Sequence, residues 1–259
     1  PTIDMLPTSG VFPLGATLDH VGILTKTMED LIDAFRAIAR PDPKPQRVAR
    51  SERKLGTIGI PGDYFFEGCD KTVSRNFRRA IEKIANSGQF KIQENINIPD
   101  HQRISRIRRS IQVKEASWFY EELATNPKKR ELVGKDVLSF FDAGLKTGMM
   151  EYMVSSVERV RFIARMVKVF ESIDFLAMPT CLTLPPKLDE ILGKEAGAIR
   201  NKLVRNTEAY TLCGFPPLSM PTHKQGSNEL PTANEISGSS KKDLEVLEAG
   251  REIWNFLHG

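Results

Sequence analysis

Residues 55–98 read LGTIGIPGDYFFEGCDKTVSRNFRRAIEKIANSGQFKIQENINI, and this stretch decides the fold. Leu55 to Ile60 is a short apolar run stopped by Pro61, as a strand would be. Val73, Phe77, Ala80, Ile81 and Ile84 recur at helical spacing, with Asp70 near the start. Phe90, Ile92, Ile96 and Ile98 then alternate with Lys91, Gln93, Asn95 and Asn97, the period of a strand. Strand, helix and strand within about 45 residues predict a βαβ unit on a covered sheet.

Upstream, Pro1 to Thr25 is rich in Pro, Gly and Thr and reads as loops. Thr27 can cap a helix, with Asp30 as its return partner and Leu31, Ala34, Phe35 and Ile38 on one face. Pro41, Pro43 and Pro45 end it, and Arg47 to Lys54 make a basic connector. Downstream, residues 102–172 read as mostly helical. Ile104, Ile107 and Ile111 form one apolar stripe; Met153, Val157, Val160, Ala164 and Val167 form another. Ile173 to Met178 is a buried-looking strand stopped by Pro179, and a helix spans roughly Ile199 to Leu212. Pro217 to Met220 and Leu230 to Ile236 are further strands. Ser240 with Asp243 caps the last helix, which turns Leu247, Trp254 and Leu257 toward a core. The sum is an α/β fold, a mixed β-sheet covered by helices. Residues 1–259 read as a portion of a single domain, with 100–172 as a mostly helical insertion within it.

Composition excludes several classes. Apolar residues are 40% and charged residues 27% of 259, so the chain is neither disordered nor fibrous. Net charge is 37 − 33 = +4, and the stretch from Asp100 to Lys135 carries all of it, 9 − 5 = +4. A local basic helix is no general nucleic-acid surface, so nucleic acid is not an expected partner. No apolar run is long enough for a membrane helix. Cys69, Cys181 and Cys213 make no disulfide framework, which favours a reducing, cytoplasmic setting. The first residue is Pro1 rather than Met, which implies sequence lost upstream.

The familiar chemical motifs are missing. His20, His101, His223 and His258 and the three cysteines have no metal-ligand spacing, so no metal site is expected. There is no GxSxG elbow, Walker loop or GxGxxG. Gly238-Ser239-Ser240-Lys241-Lys242 places serine beside lysine, but at a helix start, where a cap explains it better than a nucleophile. Of Arg103, Arg106, Arg108 and Arg109, the isoleucine stripe leaves most on the solvated face of an amphipathic helix. Trp118, Phe119 and Tyr120 cannot share one helix face, which turns at least one toward a pocket or a neighbouring subunit. Glu121 and Glu122 diverge and make a poor acid/base pair.

Three segments together resemble the amidase signature family. Gly15-Ala16-Thr17-Leu18-Asp19-His20-Val21-Gly22, followed by Thr25-Lys26-Thr27-Met28-Glu29-Asp30, is similar to the family's "slDhvGplartveD", and Pro1-Thr2 to the end of the preceding "lKPT". Asp174-Phe175-Leu176-Ala177-Met178-Pro179-Thr180 resembles "DvllmPT". Arg205-Asn206-Thr207 with Leu212-Cys213-Gly214-Phe215-Pro216-Pro217-Leu218-Ser219-Met220-Pro221 resembles "rnT…nltGfPaisvP", and Leu230-Pro231 and Gly238 fall where "lPvglqliG" would. Order and spacing match along essentially the whole chain. Ile23 stands for a proline, Lys26 for an arginine, and Thr232-Ala233-Asn234-Glu235 lacks the expected glycine and glutamine.

The resemblance implies hydrolysis of a carboxamide through an acyl-enzyme on serine. A second serine, held by a cis peptide, relays the proton to a neutral lysine. In the family these groups lie upstream of the "KPT" match, so no catalytic residue is expected in this chain and no cofactor is implied. Met178, Thr180, Cys181, Gly214, Phe215 and Pro216 are expected nearest the acyl pocket, and Asp19 is expected to be structural. General amidases are the nearer likeness. The alternatives are a tRNA-dependent amidotransferase A-type subunit, or a non-catalytic amidase-like protein that binds or supports a partner. The expected partners are a small amide and the missing N-terminal half, with a homo-oligomer also open. Strands at Ile173 to Met178 and Pro217 to Met220 are expected to pair with that half.

Overall fold

The computed structural model describes residues 1–40, 56–191, 197–222 and 229–258. The expected prolyl helix stop at Pro41, the basic connector, the first strand residue Leu55 and His223 lie outside the described residues. Along the chain come α1 (Met28–Ile38), β1 (Gly56–Pro61), α2 (Lys71–Asn86), β2 (Phe90–Ile96) and α3 (Ile104–Phe119). Then follow α4 (Glu121–Thr125), α5 (Pro127–Arg130), α6 (Lys135–Lys146), α7 (Met149–Val169), β3 (Phe175–Pro179) and α8 (Leu188–Ile191). The chain closes with α9 (Ala198–Val204), α10 (Thr207–Cys213), β4 (Pro217–Pro221), β5 (Ala233–Ser237) and α11 (Asp243–His258).

The strands form one mixed sheet in the order β2-β1-β3-β5-β4. β1 runs parallel to β2 and β3, so the βαβ unit is real, and β5 runs antiparallel to β3 and β4. Strand alternation sends neighbouring residues to opposite layers. Ile58, Ile60, Ala177, Leu218 and Ile236 pack with α1, α2 and α11. Leu176 and Met178 pack with α3, α7 and α10. Gly59 lies between Ile173 and Ile96, and a Cβ there would come within 2.7 Å of both side chains.

Local signals hold at two helix starts. The Thr27 hydroxyl accepts the Asp30 N–H at 3.1 Å, and Asp70 accepts the Thr72 N–H at 2.7 Å. At the last helix the structure corrects the expectation. α11 begins at Asp243, not after a Ser240 cap, because residues 239–242 turn first with Lys242 N–H donating to Ser239 O. Asp243 itself receives Thr2 from the other end of the chain.

Four further expectations change. The stripe on α7 faces outward: Met153 is 55% and Val160 66% exposed, whereas Phe162, Met166 and Val169 go inside. α7 is apolar on more than one face, and the aromatic-bearing face takes the core. Arg108 is 8% exposed rather than solvated, because Glu208 on α10 pairs with it at 2.7 Å. The helix over 199–212 breaks at Arg205–Asn206, where buried Asn206 donates to Phe65 O and Pro179 O. β3 is interior, held by β1 and β5, so only β4 of the two strands expected to pair elsewhere is an edge. Trp118 and Phe119 are exposed, while Tyr120 packs on Phe141 at 5.9 Å.

Candidate functional site

The open edge of β4 borders a groove of about 990 Å³. One wall is the segment from His20 to Met28 with Leu31 and Phe35 of α1. The floor is Phe215 to Pro221, with Tyr210 and Thr211 of α10 on one side and Val246, Leu247 and Trp254 of α11 on the other. The lining is mostly apolar.

The residues expected near an acyl pocket occupy different depths. Phe215 and Pro216 line the groove, and Phe215 is braced edge-on by Phe170 at 5.7 Å. Thr180 reaches the groove through Ser219, the two hydroxyls lying 2.7 Å apart. Gly214 ends α10 at φ +69°, and its carbonyl accepts the Ile3 N–H at 3.0 Å. This left-handed turn aims Phe215 and Pro216 at the groove. Met178 is fully buried in the layer of α3, α7 and α10. Cys181 is half-buried, its thiol donates to Leu203 O at 3.3 Å, and burial pushes its pKa up. The structure thus puts Phe215 and Pro216 on the groove and Thr180 behind Ser219, with Met178, Cys181 and Gly214 off the lining.

The wall from Gly15 to Gly22 is anchored by charge-assisted bonds. The Asp19 carboxylate accepts Leu14 N–H at 2.8 Å and Gly15 N–H at 3.1 Å. Glu115 on α3 accepts Thr17 N–H, the Thr17 hydroxyl and the Tyr152 hydroxyl. Arg159 on α7 donates to Leu212 O and to Thr17 Oγ1. This lattice presents His20 to the groove. His20 Nδ1 contacts Leu18 O at 2.6 Å, which requires the proton on that nitrogen. Nε2 is then a buried acceptor with no partner among the described residues. Desolvation lowers the His20 pKa, with the Leu18 carbonyl opposing it and Arg159 helping, so the ring is neutral at pH 7.

In the sequence His20 stood out only as a scattered histidine and as part of the Gly15–Gly22 family segment, Tyr210 was not singled out, and Glu235 was noted only as a departure from the family pattern. Tyr210 and Glu235 are both buried, each with an unpartnered polar atom. A glutamate inside a strand covered on both faces is the feature that marks Glu235. Among the described residues no group of three or more His, Cys, Asp or Glu could hold a metal ion. No described helix is long and apolar enough to cross a membrane.

Comparison with known proteins places this architecture. A family model described as Amidase matches residues 1–247. The 2-amino-5-chloromuconic acid deaminase of Comamonas testosteroni is 25% identical over 255 residues, covering 95% of this chain and 53% of that protein. The A-type subunit of the glutamyl-tRNA(Gln) amidotransferase of Thermodesulfovibrio yellowstonii is 24% identical, covering 96% and 57%. A solved structure described as an amidase superposes with a TM-score of 0.83 at 22% identity, covering 99% of this chain and 57% of that one. The chain spans about half the length of the curated relatives it matches. With a mixed sheet shared with solved amidases and a family model over nearly its whole length, this chain belongs to the amidase family.

Proposed function

We propose that this chain is the C-terminal part of an amidohydrolase that converts a carboxamide to a carboxylic acid and ammonia or an amine. The observation that carries this reading is the apolar groove along the open edge of β4, in a chain matching about half of each relative. An open edge beside a large apolar groove is an unfinished surface. The polypeptide that relatives carry beyond the match is the occupant that suits it. In this reading that polypeptide brings the nucleophilic serine, the relaying serine and the lysine base. This chain contributes the acyl wall: Phe215, Pro216 and Thr180 face the substrate, and Met178, Cys181 and Gly214 support them. Apolar walls favour a small neutral amide. Neither a metal nor an organic cofactor is called for. The three free cysteines fit a cytoplasmic setting.

The pairing of the basic segment favours an amidase over a tRNA-linked subunit. Arg103 and Arg106 hold Glu158, Arg108 holds Glu208, Lys129 holds Glu122 and Arg130 holds Asp142. Five of the nine cations in that segment are thus engaged, which leaves fewer for phosphates.

The test is to express the chain alone and joined to the coding sequence upstream of Pro1, then assay short aliphatic and aromatic amides with a serine-directed covalent probe. Turnover and labelling are expected only in the joined protein, on a serine outside this chain. Labelling of one serine within residues 1–259, with turnover by the chain alone, refutes the reading.

A further inference from the structure

We propose that Glu235 acts as an uncharged carboxylic acid that positions the Thr180–Ser219 face of the site, holding β3, β5 and β4 together at low pH and loosening them as pH rises. Register places Glu235 on β5 between Met178 of β3 and Ser219 of β4. Its neighbour Ile236 packs with α2 and α11, so Glu235 points to the opposite layer, toward α10. The residue is 1% exposed, and its Oε1 has no hydrogen-bond partner among the described residues. The titratable side chains that feel it are Tyr210 of α10 and Cys181 after β3, both kept uncharged by burial. The ionised pair in the same layer, Arg108 with Glu208, satisfies itself.

A bare carboxylate at such a place has lost its water and gained no cation, which strongly disfavours the charge. Burial alone raises the Glu235 pKa well above the ordinary carboxyl value. The protonated acid has one O–H donor and an acceptor oxygen; a glutamine amide is likewise neutral and offers the acceptor oxygen with two N–H donors. Below the ordinary value of 4.5, folded and unfolded chains both carry the proton and the stabilisation is complete. Above it the unfolded chain ionises and the folded one does not. The folding constant then falls by up to about tenfold per pH unit until Glu235 itself ionises. Charge forming there, an acceptor only, competes with Thr180 for the Ser219 hydroxyl opposite and so disturbs the hydroxyl pair. Only that last consequence rests on the amidase reading; the state of the carboxyl does not.

The experiment needs no substrate. Denaturant unfolding of the full chain and of Glu235→Gln is measured from about pH 5 to 8, with hydrogen exchange of residues 217–221 and 233–237. The wild-type folding constant is expected to fall with pH relative to Glu235→Gln, with faster exchange in those strands. Infrared spectra of wild type at neutral pH should carry a protonated-carboxyl band that Glu235→Gln lacks. Parallel pH profiles overturn the proposal. Should Glu235→Gln fail to fold, absence of a protonated-carboxyl band in wild type overturns it equally.

Discussion

Asp243 receives both the backbone N–H and the hydroxyl of Thr2, each at 2.6 Å, across 241 positions of sequence. Lys241 N–H then donates to the same Thr2 hydroxyl at 2.8 Å. Both partners are buried, so removal of one leaves the other without water. Asp243→Ala is expected to cost about 2–4 kcal/mol in denaturant unfolding, and Thr2→Val, which keeps the N–H bond, about half of that.

Arg108 and Glu208 link α3 to α10 through a pair that water barely reaches. Arg108→Met leaves a buried carboxylate unpaired and should destabilise by about 3–5 kcal/mol. The double variant Arg108→Met/Glu208→Leu should recover most of that loss. Equal damage in single and double variants, read by urea melts, would contradict an unpaired charge as the cause.

Gly214 combines a left-handed backbone with an ideal Cβ position 2.9 Å from Ile3. Gly214→Ala should lose about 1–3 kcal/mol from strain. In the joined enzyme it should also raise KM, because Phe215 and Pro216 follow directly. A variant as stable as wild type would show that Ile3 yields.

Burial keeps His20 neutral, so its folded pKa lies below the ordinary value of 6.5. Above pH 6.5 folded and unfolded chains both hold it neutral and its contribution is whole. As pH falls, the unfolded chain takes up a proton first, and stability declines toward the folded pKa. His20→Gln should flatten this acid limb in a pH series of melting temperatures. An unchanged limb would assign the loss to other groups.

Asp19 organises a turn, so Asp19→Asn should lower stability by about 1–2 kcal/mol while the folded fraction of a joined enzyme keeps its turnover. Activity lost by orders of magnitude with unchanged melting would give Asp19 a chemical role instead.

The sheet was legible because prolines mark strand ends: Pro61, Pro179 and Pro221 each close one. α1 and α2 were legible because Thr27 and Asp70 act within three residues of themselves. What escaped depends on distant partners. The start of α11 is fixed by Thr2, and the burial of Arg108 by Glu208 on another helix. The exposed side of α7 could not be read, since Val157 and Phe162 both sit on apolar stripes and only packing selects one. Within the site, Phe215 and Pro216 came from a motif. His20 mattered only once β4 proved to be the open edge.

Pro217 and Pro221 frame the open strand; the Thr222 N–H bond to Thr232 O sets the ladder so that Leu218 and Met220 turn toward β5, and Ser219 alone of these five residues has an N–H for the edge. A newcomer to this edge therefore has a window one donor wide, and a slip of two positions either way meets an imino nitrogen with nothing to give. The frame acts as a gauge of alignment. It favours a segment cut to that window and denies the long, repetitive ladders from which fibrils grow.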